Sequence, residues 1–157
     1  MMQTPLEAAT PNSESLAARK AWMGLLARAK PGRLADLFPE LPTHDLLRAP
    51  EIGAVMVRGR IGGTGQPFNL GEMTVTRCAL RLGSGAVGHA HVQGRDKGHA
   101  VRAAVVDALM QTNQAEALRA TVLVPLQAEE VARRANRAAK AAATKVEFFT
   151  LVRGEDQ

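Results

Sequence analysis

The apolar positions near the start of the chain repeat with the period of α-helices. The first buried stripe comprises Trp22, Leu25, Leu26 and Ala29, at the i, i+3, i+4, i+7 spacing of one helix face. Ser13 or Ser15 can cap this helix, and Pro31 ends it. A second short helix is predicted through Leu34 and Leu37, so the two helices are expected to form an αα-hairpin.

The middle of the chain changes to an alternation of apolar and polar residues, which is typical of half-exposed strands. Strands are predicted over residues 55–61, 74–82 and 86–93. The turn at residues 83–85 contains two glycines and returns the third strand antiparallel to the second. A helix capped by Asp96 follows, and its apolar stripe is expected to cover the resulting β-meander.

The last third of the chain is predicted to contain one more strand and one more helix. Residues 121–124 have the composition of a fourth strand, and Pro125 can open a helix. In this helix acidic residues precede basic ones, an order that suits the helix dipole: Glu129 and Glu130, then Arg133, Arg134, Arg137 and Lys140. The apolar tail at residues 146–154 is expected to dock on the domain or on a partner.

These elements predict an α+β fold, an antiparallel β-meander packed with helices and preceded by an αα-hairpin. Residues 1–12 are expected to be a flexible leader, and residues 13–157 a single α+β domain. A chain of 157 residues with 46% apolar composition is long enough for one buried core.

The composition excludes several classes of protein. The net charge of +5 favours anionic partners, but the basic residues form no long block, and four Phe, one Trp and no Tyr provide few stacking surfaces for single-stranded nucleic acid. The single cysteine, Cys78, permits no internal disulfide and fits a reducing cytoplasm. No stretch of eighteen apolar residues and no signal-like start is present, so neither membrane insertion nor export is expected.

The glycine-rich segment after the first strand is the first candidate site. Its candidate residues are Arg60, Gly62, Gly63, Thr64 and Gly65. Backbone amides of such a segment can approach a phosphate or a partner, and the segment is not a Walker loop because no Lys-Ser/Thr pair follows. The alternative is a hairpin turn that needs glycine only for its backbone geometry.

The second candidate site is the turn in which Gly94 precedes Arg95, Asp96 and Lys97. It lies between a strand and a helix N-terminus, where free amides and the dipole favour an anion. A cation in the first helical turn opposes the dipole, so Arg95 and Lys97 indicate a negative ligand or partner. The alternative is that both cations are solvated.

Further chemistry could come from histidines and carboxylates. His89 and His91 project from one face of a strand and His99 follows in the next helix, a trio that could hold zinc, although no metal site is our prediction. Glu72, Asp96 and His99 are the candidates for acid or base catalysis. Cys78 alternates with apolar residues and is interpreted as a core thiol.

Short motifs along residues 16–155 resemble the G subunit (PhnG) of the bacterial carbon–phosphorus lyase system. They are Arg19-Lys-Ala-Trp-Met-Gly-Leu-Leu-Ala-Arg28, Gly62-Gly-Thr-Gly65, Phe68-Asn-Leu-Gly-Glu72, Thr74-Val-Thr-Arg77, Gly94-Arg-Asp-Lys97 with His99-Ala100, Asp107-Ala-Leu-Met-Gln111 and Phe148-Phe-Thr-Leu-Val-Arg-Gly154.

The resemblance implies a subunit of a core complex with H, I and J subunits. With H, I and an ATPase-like L subunit, it would support transfer of the ribose triphosphate of ATP to a phosphonate with release of adenine. The I subunit, expected to carry the nucleosidase-type chemistry, would be the direct contact. ATP would be a substrate of the complex, and this chain alone would bind no cofactor. The alternative is an autonomous nucleotide- or phosphoester-binding enzyme.

Overall fold

A computed structural model describes residues 13–145. The elements are α1 (Ser13–Arg28), α2 (Pro31–Leu37), β1 (His44–Arg60), β2 (Pro67–Leu82), β3 (Val87–Gln93), α3 (Lys97–Leu109), α4 (Ala115–Leu118) and α5 (Val124–Ala143). The predicted leader at residues 1–12 and the predicted docking of residues 146–154 lie outside the described residues.

The sheet has the order β1-β2-β3, and both strand pairs are antiparallel. The α+β class and the meander predicted from the alternation are therefore confirmed. On β2 one of the two alternating faces is buried, at Thr76, Cys78, Leu80 and Leu82. β1 is longer than predicted: it begins at His44 and contains register irregularities between Leu46 and Glu51.

The core lies between the sheet and α3. This helix is capped as predicted, because the Asp96 carboxylate accepts a hydrogen bond from the His99 amide at 2.8 Å. α3 lies so close to β3 that a Cβ added at Gly88 would overlap the carbonyl oxygen of Ala104. Leu26 of α1 and Leu34 of α2 complete the same core.

The predicted fourth strand at residues 121–124 is wrong. Residues 119–123 form a π-helical turn that joins α4 to α5. Leu118, Val122 and Leu126 are buried at helical spacing, so tertiary burial overrides the strand propensity of the β-branched residues. Pro125 follows this turn and lies in the first turn of α5, where proline is tolerated.

A two-stranded arm extends beyond the sheet. β3 pairs with β2 only from Val75 to Arg81, whereas β1 and β2 stay paired as far as Arg60 and Pro67. We call residues 54–60 and 67–74, with the turn at 61–66, the arm. At ~3.4 Å per residue, its seven steps from Thr74 to Pro67 extend roughly 24 Å.

Within residues 13–145, no helix is long and apolar enough to cross a bilayer.

Candidate functional site

The glycine-rich segment is the turn at the tip of the arm. Gly62 and Gly63 have φ of 59° and 83°, in the left-handed region that favours glycine. The Gly65 amide donates to the Ile61 carbonyl at 2.8 Å, and Arg60 Nη1 donates to the Gly65 carbonyl at 3.1 Å. These contacts account for the glycines by turn geometry, while Thr64 remains exposed at the tip.

The turn before α3 lies at the base of the arm. Gly94 has φ of 91°, and its amide donates to the Thr74 carbonyl at 2.9 Å. Arg95 and Lys97 are exposed, whereas the Asp96 carboxylate is used as the helix cap. Because Gly94 aligns with Thr74, the whole arm separates this turn from the glycine-rich tip, and the structure does not bring the two predicted segments together.

The predicted histidine trio is divided between the surface and the core. His89 and His91 are exposed on β3, whereas His99 is 2% exposed and its Nε2 lies 2.9 Å from the Leu26 carbonyl. Burial lowers the pKa of His99, which favours the neutral ring. The Leu26 carbonyl can only accept, so Nε2 donates the hydrogen bond. Among residues 13–145, no cluster of three or more His, Cys, Asp or Glu side chains is placed to hold a metal ion.

The three groups proposed for acid or base catalysis, Glu72, Asp96 and His99, lie in different environments. Glu72 is exposed on the arm, where its Cα pairs with that of Met56. Asp96 caps α3 and His99 points into the core. Cys78 is buried as predicted, and burial raises the pKa of its thiol. The arrangement of the described candidates provides no nucleophile and base in mutual contact.

A buried carboxylate that the sequence analysis missed connects three elements. Asp107 of α3 is completely buried and accepts hydrogen bonds from Arg19 Nη2 at 2.6 Å, Trp22 Nε1 at 2.9 Å and the His89 amide at 2.9 Å. Arg19 Nε adds a fourth bond at 3.1 Å. The one signal in the sequence was an acidic residue within the apolar stripe of α3. Its saturated carboxylate positions α1, β3 and α3.

Basic residues of α5 and α1 surround a second buried carboxylate, Glu130. Arg28 Nε and Arg134 Nη2 both donate to Glu130 Oε1 at 2.8 Å. The hydrogen bond from Arg28 is the main reason that the pKa of Glu130 is lowered, and the same bond raises the pKa of Arg28. The sequence analysis interpreted these charges only through the helix dipole. The contact between α5 and α1 joins Glu130 to Arg28, which lies 102 positions away in the sequence.

Several large apolar residues on the arm are exposed to solvent. They are Met56, Ile61, Phe68 and Leu70, with exposed fractions of 52%, 66%, 40% and 66%. A two-stranded ribbon is marginally stable in water by itself, and apolar side chains on such a ribbon favour a covering partner.

The sequence matches the family model described as phosphonate metabolism protein PhnG over residues 17–154. It is similar to the protein named alpha-D-ribose 1-methylphosphonate 5-triphosphate synthase subunit PhnG from Rhizobium meliloti (strain 1021). The two are 47% identical over 156 residues, which cover 95% of this chain and 97% of that protein. The similarity therefore includes the arm, the turn before α3 and the basic residues of α5.

Proposed function

The chain belongs to the PhnG family of phosphonate metabolism proteins, and from that membership we propose that it is a non-autonomous subunit of an alpha-D-ribose 1-methylphosphonate 5-triphosphate synthase. The observation that carries the proposal is the 47% identity to a synthase subunit along 97% of that protein's length. Because the alignment covers 97% of the relative, no large region of that protein is unmatched.

In the finer form of the proposal, the chain assembles with H, I and J subunits and acts together with the L subunit. The step would transfer the ribose triphosphate of ATP to a phosphonate and release adenine. The chain would be accessory to the I subunit, its direct contact. The cytoplasm is the proposed location, in agreement with a single cysteine whose side chain is a buried free thiol.

Three acidic side chains are held by hydrogen bonds within the fold, which supports an accessory role for this chain. The two fully or nearly buried carboxylates, Asp107 and Glu130, are occupied by arginine and tryptophan donors. Asp96 is occupied as a helix cap. A catalytic acid or base must be able to reach the reacting proton, and these three groups are instead held by contacts within the fold.

The arm supports association with another protein chain. It carries apolar side chains without cover and the cations Arg58 and Arg60 on its exposed face. An apolar surface with basic groups at its edge resembles the composition of protein interfaces, where arginine is enriched. We therefore assign the arm to the contact with the I subunit.

Co-expression with the I subunit followed by gel filtration tests this assignment. The wild-type chain should elute with the I subunit as one heteromer. Leu70→Asp and Ile61→Asp should each weaken the heteromer, because each places a charge in the apolar contact. Leu16→Asp is the matched control, since Leu16 is also exposed, at 53%, but lies on α1.

Three results would contradict the proposal or a part of it. Separate wild-type peaks at micromolar concentration would refute assembly. Equal losses for Leu16→Asp and Leu70→Asp would refute the assignment of the arm. ATP turnover by the isolated wild-type chain would favour the autonomous nucleotide enzyme instead.

A further inference from the structure

A cleft with a strongly basic lining lies between the end of α1, the end of β3 and α5. Its volume is about 350 Å³. We call it the basic cleft; it is lined by Arg28, Gln93, Glu130, Arg133, Arg134 and Arg137. A volume of this size falls within the ~300–1,000 Å³ range of small-molecule sites.

The charges of the basic cleft are not balanced. It contains four guanidinium groups and one carboxylate, and Glu130 is paired with both Arg28 and Arg134. For Arg133 and Arg137, no hydrogen bond or ion pair is found within the described part of the chain. Like charges at i, i+4 on a helix repel each other, so an anion bound between Arg133 and Arg137 would relieve this repulsion.

The single carboxylate does not block an anion. The Glu130 side chain is only 6% exposed, and Arg28 Nη2 also reaches its second oxygen, Oε2, at 3.3 Å. The carboxylate thus holds Arg28 and Arg134 in place from the interior. The Arg134 side chain is still 68% exposed and can donate towards the cleft from its remaining N–H groups.

We propose that the basic cleft binds the triphosphate group of a nucleotide or sugar triphosphate. The identity of the triphosphate rests on the proposed function, whereas the anion site rests on the cleft itself. Arginine binds phosphate oxygens through two parallel hydrogen bonds, and the amide of Gln93 adds a neutral donor.

The spacing of the arginines favours an extended anion over a single phosphate. Arg133 and Arg137 are four residues apart on one helix face, which separates them by about 6 Å along the helix axis. Arg28, Arg134 and Gln93 line the same cleft beside these two arginines. A chain of linked phosphates can contact several of these groups at once.

Isothermal titration calorimetry of the isolated full-length chain with inorganic tripolyphosphate tests the proposal. ATP, inorganic phosphate and adenosine are titrated in parallel. Tripolyphosphate and ATP should bind with similar affinity and one-to-one stoichiometry, phosphate should bind much more weakly, and adenosine should not bind. The double variant Arg133→Ala/Arg137→Ala should weaken tripolyphosphate binding by about 100-fold, at about tenfold for each arginine that is removed.

The double variant Arg48→Ala/Arg119→Ala is the matched control. It removes the same charge from side chains that are 53% and 49% exposed and that lie outside the cleft. It should retain binding within about threefold, because distant surface charges are screened by salt. Circular dichroism of each variant should match that of the wild type.

The proposal is overturned if tripolyphosphate does not bind, if it binds no better than phosphate, or if both double variants weaken binding equally. Loss of the heteromer with the I subunit in the Arg133→Ala/Arg137→Ala variant, without tripolyphosphate binding by the wild type, would show an acidic protein surface as the occupant. Co-elution of the wild-type chain with the I subunit tests the proposed function separately, so the two can fail independently.

Discussion

Replacement of Asp107 by alanine should cause the largest loss of stability of any single side-chain truncation considered for this fold. The carboxylate accepts four hydrogen bonds, from Arg19, Trp22 and the His89 amide. Asp107→Ala leaves all of these donors without their acceptor and removes the counter-ion of Arg19.

The size of this loss of stability depends on how deeply Asp107 and Arg19, the two partners of the ion pair, are buried. Breaking a buried pair costs ~3–5 kcal/mol, and the lower end applies here because the Arg19 side chain is 30% exposed and can be partly hydrated. A loss of about 3 kcal/mol lowers the melting temperature by roughly 6–12 °C for a chain of this size. With a urea m-value of ~1–3 kcal/mol/M, the unfolding midpoint should fall by about 1–3 M.

Urea unfolding followed by circular dichroism and by the fluorescence of Trp22, the single tryptophan, measures this loss. Glu116→Ala is the control, because the Glu116 side chain is 89% exposed and its removal should change the free energy of unfolding by less than about 0.5 kcal/mol. If Asp107→Ala unfolds during purification, Trp22→Phe removes one donor and should cost about 1 kcal/mol. A loss below about 1 kcal/mol for Asp107→Ala would refute the reasoning.

Two further predictions concern His99 and Gly88. Burial holds the pKa of His99 below its ordinary 6.5, so the unfolded chain takes up the proton first and the free energy of unfolding should fall as the pH drops below about 6.5. His99→Gln should reduce this slope in urea titrations between pH 7.5 and 5.5, and an unchanged slope would contradict the assignment. Gly88→Ala should cost about 1–3 kcal/mol because its Cβ would meet Ala104 of α3, whereas Gly83→Ala, with open space around it, should cost little by the same assay. Equal free energies of unfolding for the two glycine variants would disprove the close approach of α3 to β3.

The parts of the fold that the sequence predicts are those with local periodicity. The alternation along β2 and the capped stripe of α3 each reflect one buried face. α3 lies where the pattern places it, and β2 contains the predicted residues 74–82 but begins earlier, at Pro67. The start of β1 could not be predicted in this way. Pro50 lies within the register irregularity between Arg48 and Glu51, and most residues from His44 to Ile52 are exposed, so no period of two appears there.

The interactions that define the candidate site depend on long-range contacts. Asp107 meets Arg19 across 88 positions, and Glu130 meets Arg28 across 102. The local sequence pattern contains no information on such pairs. From the sequence, the order of charges in α5 could therefore be related only to the helix dipole. For the same reason the sequence could not show that the arm separates the glycine-rich tip from the Gly94 turn.

The strand predicted at residues 121–124 illustrates a conflict between propensity and burial. β-branched residues favour a strand, but the apolar positions before and after them continue at helical spacing from Leu118 to Leu126. The window of four residues was too short to reveal that period. A longer window would have favoured the continuous helical segment that the structure contains.

Adenine release in a reconstituted reaction tests the central claim most directly. The H, I and L subunits, ATP and methylphosphonate are incubated with and without this chain, and the chain is also incubated alone with both substrates. A non-autonomous subunit predicts adenine release only when this chain and its partners are present together. Release by the chain alone, or an unchanged rate when the chain is omitted, would contradict the account.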